Sequence, residues 1–347
     1  MNRSPLKWPG GKSRVMAQLL PYLSKADCLI EPFVGGASVF MNTDYRRYVL
    51  ADINPHLINF YQTIVTDTDN FIQAAQTALF RDGNNPETFY SAREAFNQRT
   101  APNWAQSFWD FTQAIRFLYL NRHGYNGMIR YNQKGELNVP FGHYKRVYFP
   151  EKEIRLFAEK ARDTKAIFLC ADFRTTLLTY AAPDTAIYCD PPYLPASATA
   201  NFTSYYASAF GLVQHQNLVK TLLELNRKHG ALATFSGSDT AETRKVYAPF
   251  RLHEINVQRS VSAKSRGKAD ELIGTLKVCE GCGCAGGGMC PDCGPCCGDT
   301  TYAAMEESGV FEDTSCACTG TDACKDCMPF GYGWQTPWPE LQEAGHE

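Results

Sequence analysis

The chain has 347 residues, of which 44% are hydrophobic and 20% charged, a globular composition that excludes a wholly disordered protein. No run approaches the roughly 18 uninterrupted apolar residues of a membrane span. The opening MNRSPLKWPGGK lacks the long apolar stretch of a secretory signal, so the expected location is the cytoplasm, with no membrane partner.

Apolar runs at residues 28–31 and 48–52 predict two strands, the first turning at 33–38 towards a helix and the second ending on an acid. Residues 57–80 and 87–120 carry aromatic, Leu and Ile residues at helical spacing. They are followed by the loop-rich NRHGYNGMIRYNQKGELNVPFGHYKR, which mixes glycine, asparagine, basic and aromatic residues. Strand-like runs return at 166–172, 186–190, 231–235 and 272–276. This alternation predicts a doubly wound α/β sheet with a helical insert at 57–150 between the second and third strands.

Charge and cysteine divide the chain again near residue 279. Residues 1–278 are net +9 and residues 279–347 net −11, and 11 of the 14 cysteines lie in the second part. A mildly basic body suits a polyanion such as nucleic acid. The acidic tail does not.

The strongest chemical signal is Asp190-Pro191-Pro192-Tyr193, directly after an apolar strand. At the carboxyl end of a strand in an open α/β sheet, side chains face the crevice where ligands bind. The prolines fix the backbone and leave carbonyl oxygens without neighbouring N–H groups. The Asp190 carboxylate and the Pro191 carbonyl then suit the two N–H groups of an exocyclic amine, and Tyr193 offers a face for stacking on a base.

A second signal is Glu31-Pro32-Phe33-Val34-Gly35-Gly36-Ala37-Ser38, a glycine turn between strand and helix. Asp52 ends the next strand 17 residues after Gly35, near the roughly 20-residue offset of an acid that binds ribose hydroxyls. Together they describe a nucleoside-containing cofactor across the strand ends. Leu6-Lys7-Trp8-Pro9-Gly10-Gly11-Lys12 lacks the first glycine of a P-loop, which excludes ATP hydrolysis on that motif.

In this order, Lys-Trp-x-Gly-Gly-Lys, Glu-Pro-Phe-Val-Gly-Gly, Ala-Asp-Ile-Asn, Tyr-Asn-Gly-x-x-Arg-Tyr-Asn and Asp-Pro-Pro-Tyr resemble the Dam family of DNA N6-adenine methyltransferases. The resemblance runs through Asn138-Val139-Pro140-Phe141-Gly142, Ser197-Ala198-Thr199-Ala200-Asn201-Phe202-Thr203 and Asp270-Glu271-Leu272, covering about residues 5–278. It implies a Rossmann-like S-adenosyl-L-methionine-dependent sheet from 1–56 and 151–278, with 57–150 as the target-recognition domain. Trp8, Lys12, Glu31, Phe33, Gly35, Gly36, Asp52 and Asp190 would bind the methyl donor. Asp190, Pro191, Pro192 and Tyr193 would act on an adenine rotated out of double-stranded DNA. Lys7, Tyr125, Asn126, Met128, Arg130 and Pro140 match DNA-contacting positions, with Arg130 the guanine reader and GATC the expected site. Met128 replaces a leucine, and Ser236-Gly237-Ser238-Asp239 departs from Ser-Asn-His-Asp. A monomer is expected. Cytosine-N4 methylation and a non-catalytic DNA-binding module are the alternatives, since the Asp-Pro-Pro-Tyr pocket holds either exocyclic amine.

Cys189 alternates with Asp190 along its strand and is expected in the core. Ser262-Ala263-Lys264-Ser265-Arg266-Gly267-Lys268 suits the DNA backbone. In the tail, Cys279, Cys282, Cys293 and Cys296 have the spacing of a zinc site, against a disordered acidic extension as the other reading.

Overall fold

The computed structural model describes residues 1–98, 110–194, 210–258 and 268–276, with the backbone of 289–290 and 294–295. Ser197–Thr203, most of the 262–268 segment and the tail cysteines Cys279, Cys282, Cys293 and Cys296 lie outside the described residues.

The short apolar runs pair as expected for parallel strands. They are β1 (Cys28–Glu31), β2 (Arg47–Asp52), β3 (Ile167–Cys170), β4 (Thr185–Cys189) and β5 (Leu232–Ser238). Two further strands, β6 (Arg251–Gln258) and β7 (Lys268–Leu276), pair antiparallel with each other, and β7 also pairs antiparallel with β5. The sheet order is β3-β2-β1-β4-β5-β7-β6. This is the doubly wound, Rossmann-like α/β sheet read from the sequence. The sequence does not announce β6, whose Arg251, His253 and Glu254 break any apolar run. Arg251 and Glu254 are exposed, and charged side chains are common on edge strands.

Alternation along the strands builds two cores. Leu29, Leu50, Ala186 and Tyr188 face one apolar cluster, whereas Ile30, Val49, Ile187 and Cys189 face the other. Cys189 is fully buried, as expected. After the short α1 (Met16–Leu19), helices α2 (Pro55–Thr66), α3 (Thr68–Ala75), α4 (Pro86–Gln98) and α5 (Phe111–His123) contribute Phe60, Phe71, Phe96 and Phe117 to the first cluster. With α6 (Glu151–Asp163) and its Phe157, they share one continuous core with that sheet face. The opposite face is covered by α7 (Phe173–Tyr180), α8 (Leu212–His229) and α9 (Ala241–Val246), through Leu177, Leu218, Leu222 and Val246.

Local chemistry sets the helix ends. The Asn54 side chain accepts from the His56 and Leu57 amides and Pro55 fills the first turn of α2, so the chain leaves β2 directly into a helix. Asp172 caps α7 in the same way, and α8 stops at Gly230 with φ 66°. Among the described residues no helix is long and apolar enough to cross a membrane, and no cluster of three or more His, Cys, Asp or Glu is arranged to hold a metal.

Candidate active site

Strand order reverses between β1 and β4: from β1 the chain moves outward through β2 to β3, then returns to add β4 on the other side. Such a switch point opens a crevice at the carboxyl ends of the two strands. Glu31 ends β1, and Asp190 follows β4 immediately.

Asp190 sits in a network that joins four parts of the chain. The Lys12 ammonium lies 2.7 Å from Oδ1, and the Ser236 hydroxyl donates to the same oxygen at 2.8 Å. Tyr188 shares a 2.8 Å hydrogen bond with Ser236. Lys12 also donates to the Gly10 carbonyl at 3.1 Å and to the Tyr193 hydroxyl at 2.9 Å. Tyr193 in turn donates to Glu271 of β7 at 3.1 Å. Burial opposes the charge on Lys12, but Asp190, with Tyr188 and Glu271, outweighs it and raises its pKa above the ordinary lysine value.

Neither Pro191 nor Pro192 has an N–H with which to anchor the loop after β4. Side chains hold its carbonyls instead. His215 Nε2 lies 3.0 Å from the Pro192 oxygen, and the Ser238 hydroxyl donates to the Leu194 oxygen at 3.2 Å. Ser236, which keeps the serine of the family pattern, and Ser238, which departs from it, therefore both brace the Asp190–Leu194 segment.

Across the crevice, the glycine turn meets Asp52 as the 17-residue spacing suggests. Gly35 N donates to Asp52 Oδ2 at 3.1 Å, Asn54 N to Oδ1 at 2.9 Å, and Tyr61 to the Gly35 carbonyl at 2.6 Å. Burial pushes the Asp52 carboxyl up to about 6, against the pull of these amide donors. Gly35 has φ 44°, and Trp8 packs on both glycines so closely that a Cβ on Gly36 would lie 2.8 Å from the Trp8 Cβ. Phe33 stacks on Phe173 at 5.8 Å and meets Phe210 edge-on at 5.4 Å. Glu31 is 2% exposed, and its Oε1 has no hydrogen-bond partner among the described residues. Burial, reinforced by Asp190, pushes its carboxyl up to about 8, against an amide bond from Phe40 and the charge of Lys160.

The candidate nucleic-acid contacts cluster on the loops after α5. Asn121 locks the N-terminal arm there, accepting from Lys7 N at 2.9 Å and donating to the Lys7 carbonyl at 2.6 Å and the Gly127 carbonyl at 3.0 Å. The Lys7 ammonium lies 4.4 Å from the centre of the Tyr144 ring. Tyr125 and Asn126 are exposed, with Asn126 at φ 55°, and Tyr125 N donates to the carbonyl of exposed Pro140 at 2.9 Å. Met128 is half-buried against the core. Arg130 is exposed on a small hairpin closed by the Tyr131–Leu137 bridge, and its Nε donates to Asn138 Oδ1 at 2.8 Å.

Sequence reasoning gave no role to Ser236, Glu271 or His215. Glu271 sits in a segment that carries the resemblance and Ser236 at the start of one that departs from it, so both positions stood out even though their contacts did not. His215, one polar residue on a helix, carried no local signal.

A sequence profile of the D12 class N6 adenine-specific DNA methyltransferases matches residues 8–261. The DNA adenine methylase of Serratia marcescens is 44% identical over 274 residues, 78% of this chain and 97% of that protein. That of Escherichia coli K12 is 44% identical over 278 residues, covering 80% and 96%, and that of Haemophilus influenzae 43% identical over 276, covering 78% and 93%. Relatives matched over nearly their whole length, and a profile that reaches from Trp8 past the β4 loop and the β5 serines, place the chain in one group: it belongs to the D12 class of N6 adenine-specific DNA methyltransferases.

Proposed function

We propose that the protein transfers a methyl group from S-adenosyl-L-methionine to N6 of an adenine rotated out of double-stranded DNA, within GATC. The observation that carries this reading is the Asp190–Tyr193 loop at the switch point, where, among the described residues, Lys12 and Ser236 both meet Asp190 on Oδ1. Oδ2 and the Pro191 carbonyl then accept the two N–H groups of the amine.

The residues on the cofactor side suit the donor. Asp52 takes ribose hydroxyls, the Gly35–Gly36 turn and Trp8 line the approach, Phe33 offers an aromatic edge, and the unpartnered Glu31 oxygen suits the amino-acid ammonium. When bound, that cofactor supplies a sulfonium-linked methyl. The protein's own part is positional. Lys12 and Ser236 hold the Asp190 carboxylate, and the two N–H acceptors direct electron density onto an otherwise delocalised amino nitrogen. Tyr193 stacks on the base and offsets part of the few kcal/mol that unstacking costs, about the scale known for base flipping. Placement of this kind supplies much of the rate in a direct displacement.

Residues 57–150 act as the recognition domain, with Lys7, Tyr125, Asn126, Met128, Arg130 and Pro140 on the DNA. The hydrogen bond from Arg130 to Asn138 presents the guanidinium on an ordered hairpin, as a bidentate guanine contact requires. Methylation of unmodified plasmid DNA with the purified protein, followed by mapping of modified bases, tests the reading. N6-methyladenine at GATC is expected and should vanish in Asp190→Ala at saturating cofactor while the protein stays folded. Methylated cytosine, or turnover by Asp190→Ala, would overturn it.

A further inference from the structure

The Asp190–Tyr193 loop is unusual in how few freedoms it has. Both prolines lock φ, so the path from Pro191 to Tyr193 depends mainly on ψ191 and ψ192. Whatever pins the Pro192 carbonyl pins ψ192, and with it the peptide plane from which Tyr193 emerges. The Tyr193 hydroxyl is already tied to Lys12 and Glu271 at its far end. Among the described residues, the near end is held from outside the loop by His215, whose Nε2 lies 3.0 Å from the Pro192 oxygen.

The imidazole is itself fixed. His215 lies in the first turns of α8, is 3% exposed, and has the Phe210 ring edge-on at 4.9 Å. A carbonyl only accepts, so Nε2 must carry the proton. Nδ1 then accepts, and the Tyr247 hydroxyl 2.8 Å away is its donor. Burial pushes the imidazole pKa down to about 4, against the pull of the Pro192 carbonyl, so this neutral tautomer persists at physiological pH. Tyr247 is 1% exposed and stacks on Phe235 of β5 at 3.7 Å, which anchors the relay to the sheet. The chain Tyr247 to His215 to Pro192 therefore runs in one direction, from the core to the loop.

Resting on the site assignment above, we propose that His215 is a positioning residue for methyl transfer, orienting the Pro191–Tyr193 edge of the adenine pocket through its hydrogen bond to the Pro192 carbonyl. It touches neither base nor donor. Its effect should fall on the chemical step, because a displaced acceptor or stacking ring costs rate steeply.

The test is single-turnover methylation of a GATC duplex by the wild type, His215→Leu and His215→Gln, with S-adenosylhomocysteine affinity and thermal stability measured alongside. His215→Leu removes the donor but keeps an apolar side chain, and should slow methyl transfer about tenfold, with cofactor affinity and duplex KM within about twofold. His215→Gln restores an N–H donor of similar reach and should recover the rate to within about threefold of wild type. A merely structural histidine would instead lower stability in both variants and leave the rate per folded enzyme unchanged. The proposal falls if His215→Leu turns over at the wild-type rate, if His215→Gln is as slow as His215→Leu, or if cofactor affinity falls in step with the rate. Asp190→Ala separates the levels. If Asp190→Ala is inactive and His215→Leu is normal, only the role of His215 fails. If Asp190→Ala is active, the site assignment itself fails.

Discussion

Glu31 makes the proposed cofactor site measurable through protons. With its carboxyl pushed up to about 8, Glu31 is about nine-tenths protonated at pH 7 in the free protein. Contact with the ammonium of the bound cofactor favours the carboxylate, because an opposite charge in a buried setting outweighs the desolvation that held the proton. Binding at pH 7 should then release about 0.9 proton from Glu31, and about half a proton at pH 8. Asp52, at about 6, is already about nine-tenths ionised at pH 7 and contributes about 0.1 at most.

Titration calorimetry with S-adenosylhomocysteine in buffers of different ionisation enthalpy reads the number directly. Linkage through Glu31 requires the affinity to rise about tenfold from pH 6 to 7 and about fivefold from pH 7 to 8. The same group shapes stability in the free protein. Its folded pKa is raised, so its contribution is full below the unfolded value near 4.5 and is lost as pH rises through about 8. Glu31→Gln should remove both the proton release and that stability slope while weakening cofactor binding. Binding at pH 7 without proton exchange, or equal release from wild type and Glu31→Gln, would refute the reasoning.

Asp52 adds a second slope. Below about pH 6 it too becomes protonated in the free protein, so cofactor affinity should steepen towards about a hundredfold loss per pH unit, whereas Asp52→Asn should keep the gentler Glu31 slope; identical pH profiles would discount its role. Gly127 has φ 65°, and a Cβ there would lie 2.4 Å from Lys7, so Gly127→Ala should displace Lys7 and weaken duplex binding more than cofactor affinity, as fluorescence anisotropy can check. For Arg130→Ala, discrimination against single-base variants of GATC should fall by about 1–3 kcal/mol, and unchanged discrimination would make Arg130 a phosphate contact.

Much of this was legible locally. The strands of the inner sheet are short runs such as Cys28–Glu31 and Thr185–Cys189, buried on both faces and therefore apolar through their middles. The glycine turn and Asp52 stood out as a pair by spacing, because a strand-turn-helix-strand unit returns the chain to the neighbouring strand end, but their direct contact did not. What was hidden depends on long-range pairing. The position of β7 between β5 and β6 cannot be read from either strand's own residues, and β6 looks like a polar loop. The ion pair that ties Lys12 to Asp190, 178 positions along the chain, has no local signal either. Ser236, Glu271 and His215 acquire meaning only once the sheet brings them to the β4 loop.

That division has a physical origin in the loop itself. A segment meant to offer carbonyl and carboxylate acceptors to a ligand gains by lacking N–H groups of its own, and two successive prolines achieve this. The same choice removes the means by which a loop usually fastens to its neighbours. Its anchors must then be side-chain donors supplied from elsewhere: Lys12 from the N-terminal arm, Ser236 and Ser238 from β5, and His215 from α8. Each donor belongs to an element packed on or paired with the sheet, so pocket geometry is inherited from the core rather than from local turn chemistry. The motif reads clearly in sequence because it is contiguous. Its supports do not, because the fold alone assembles them.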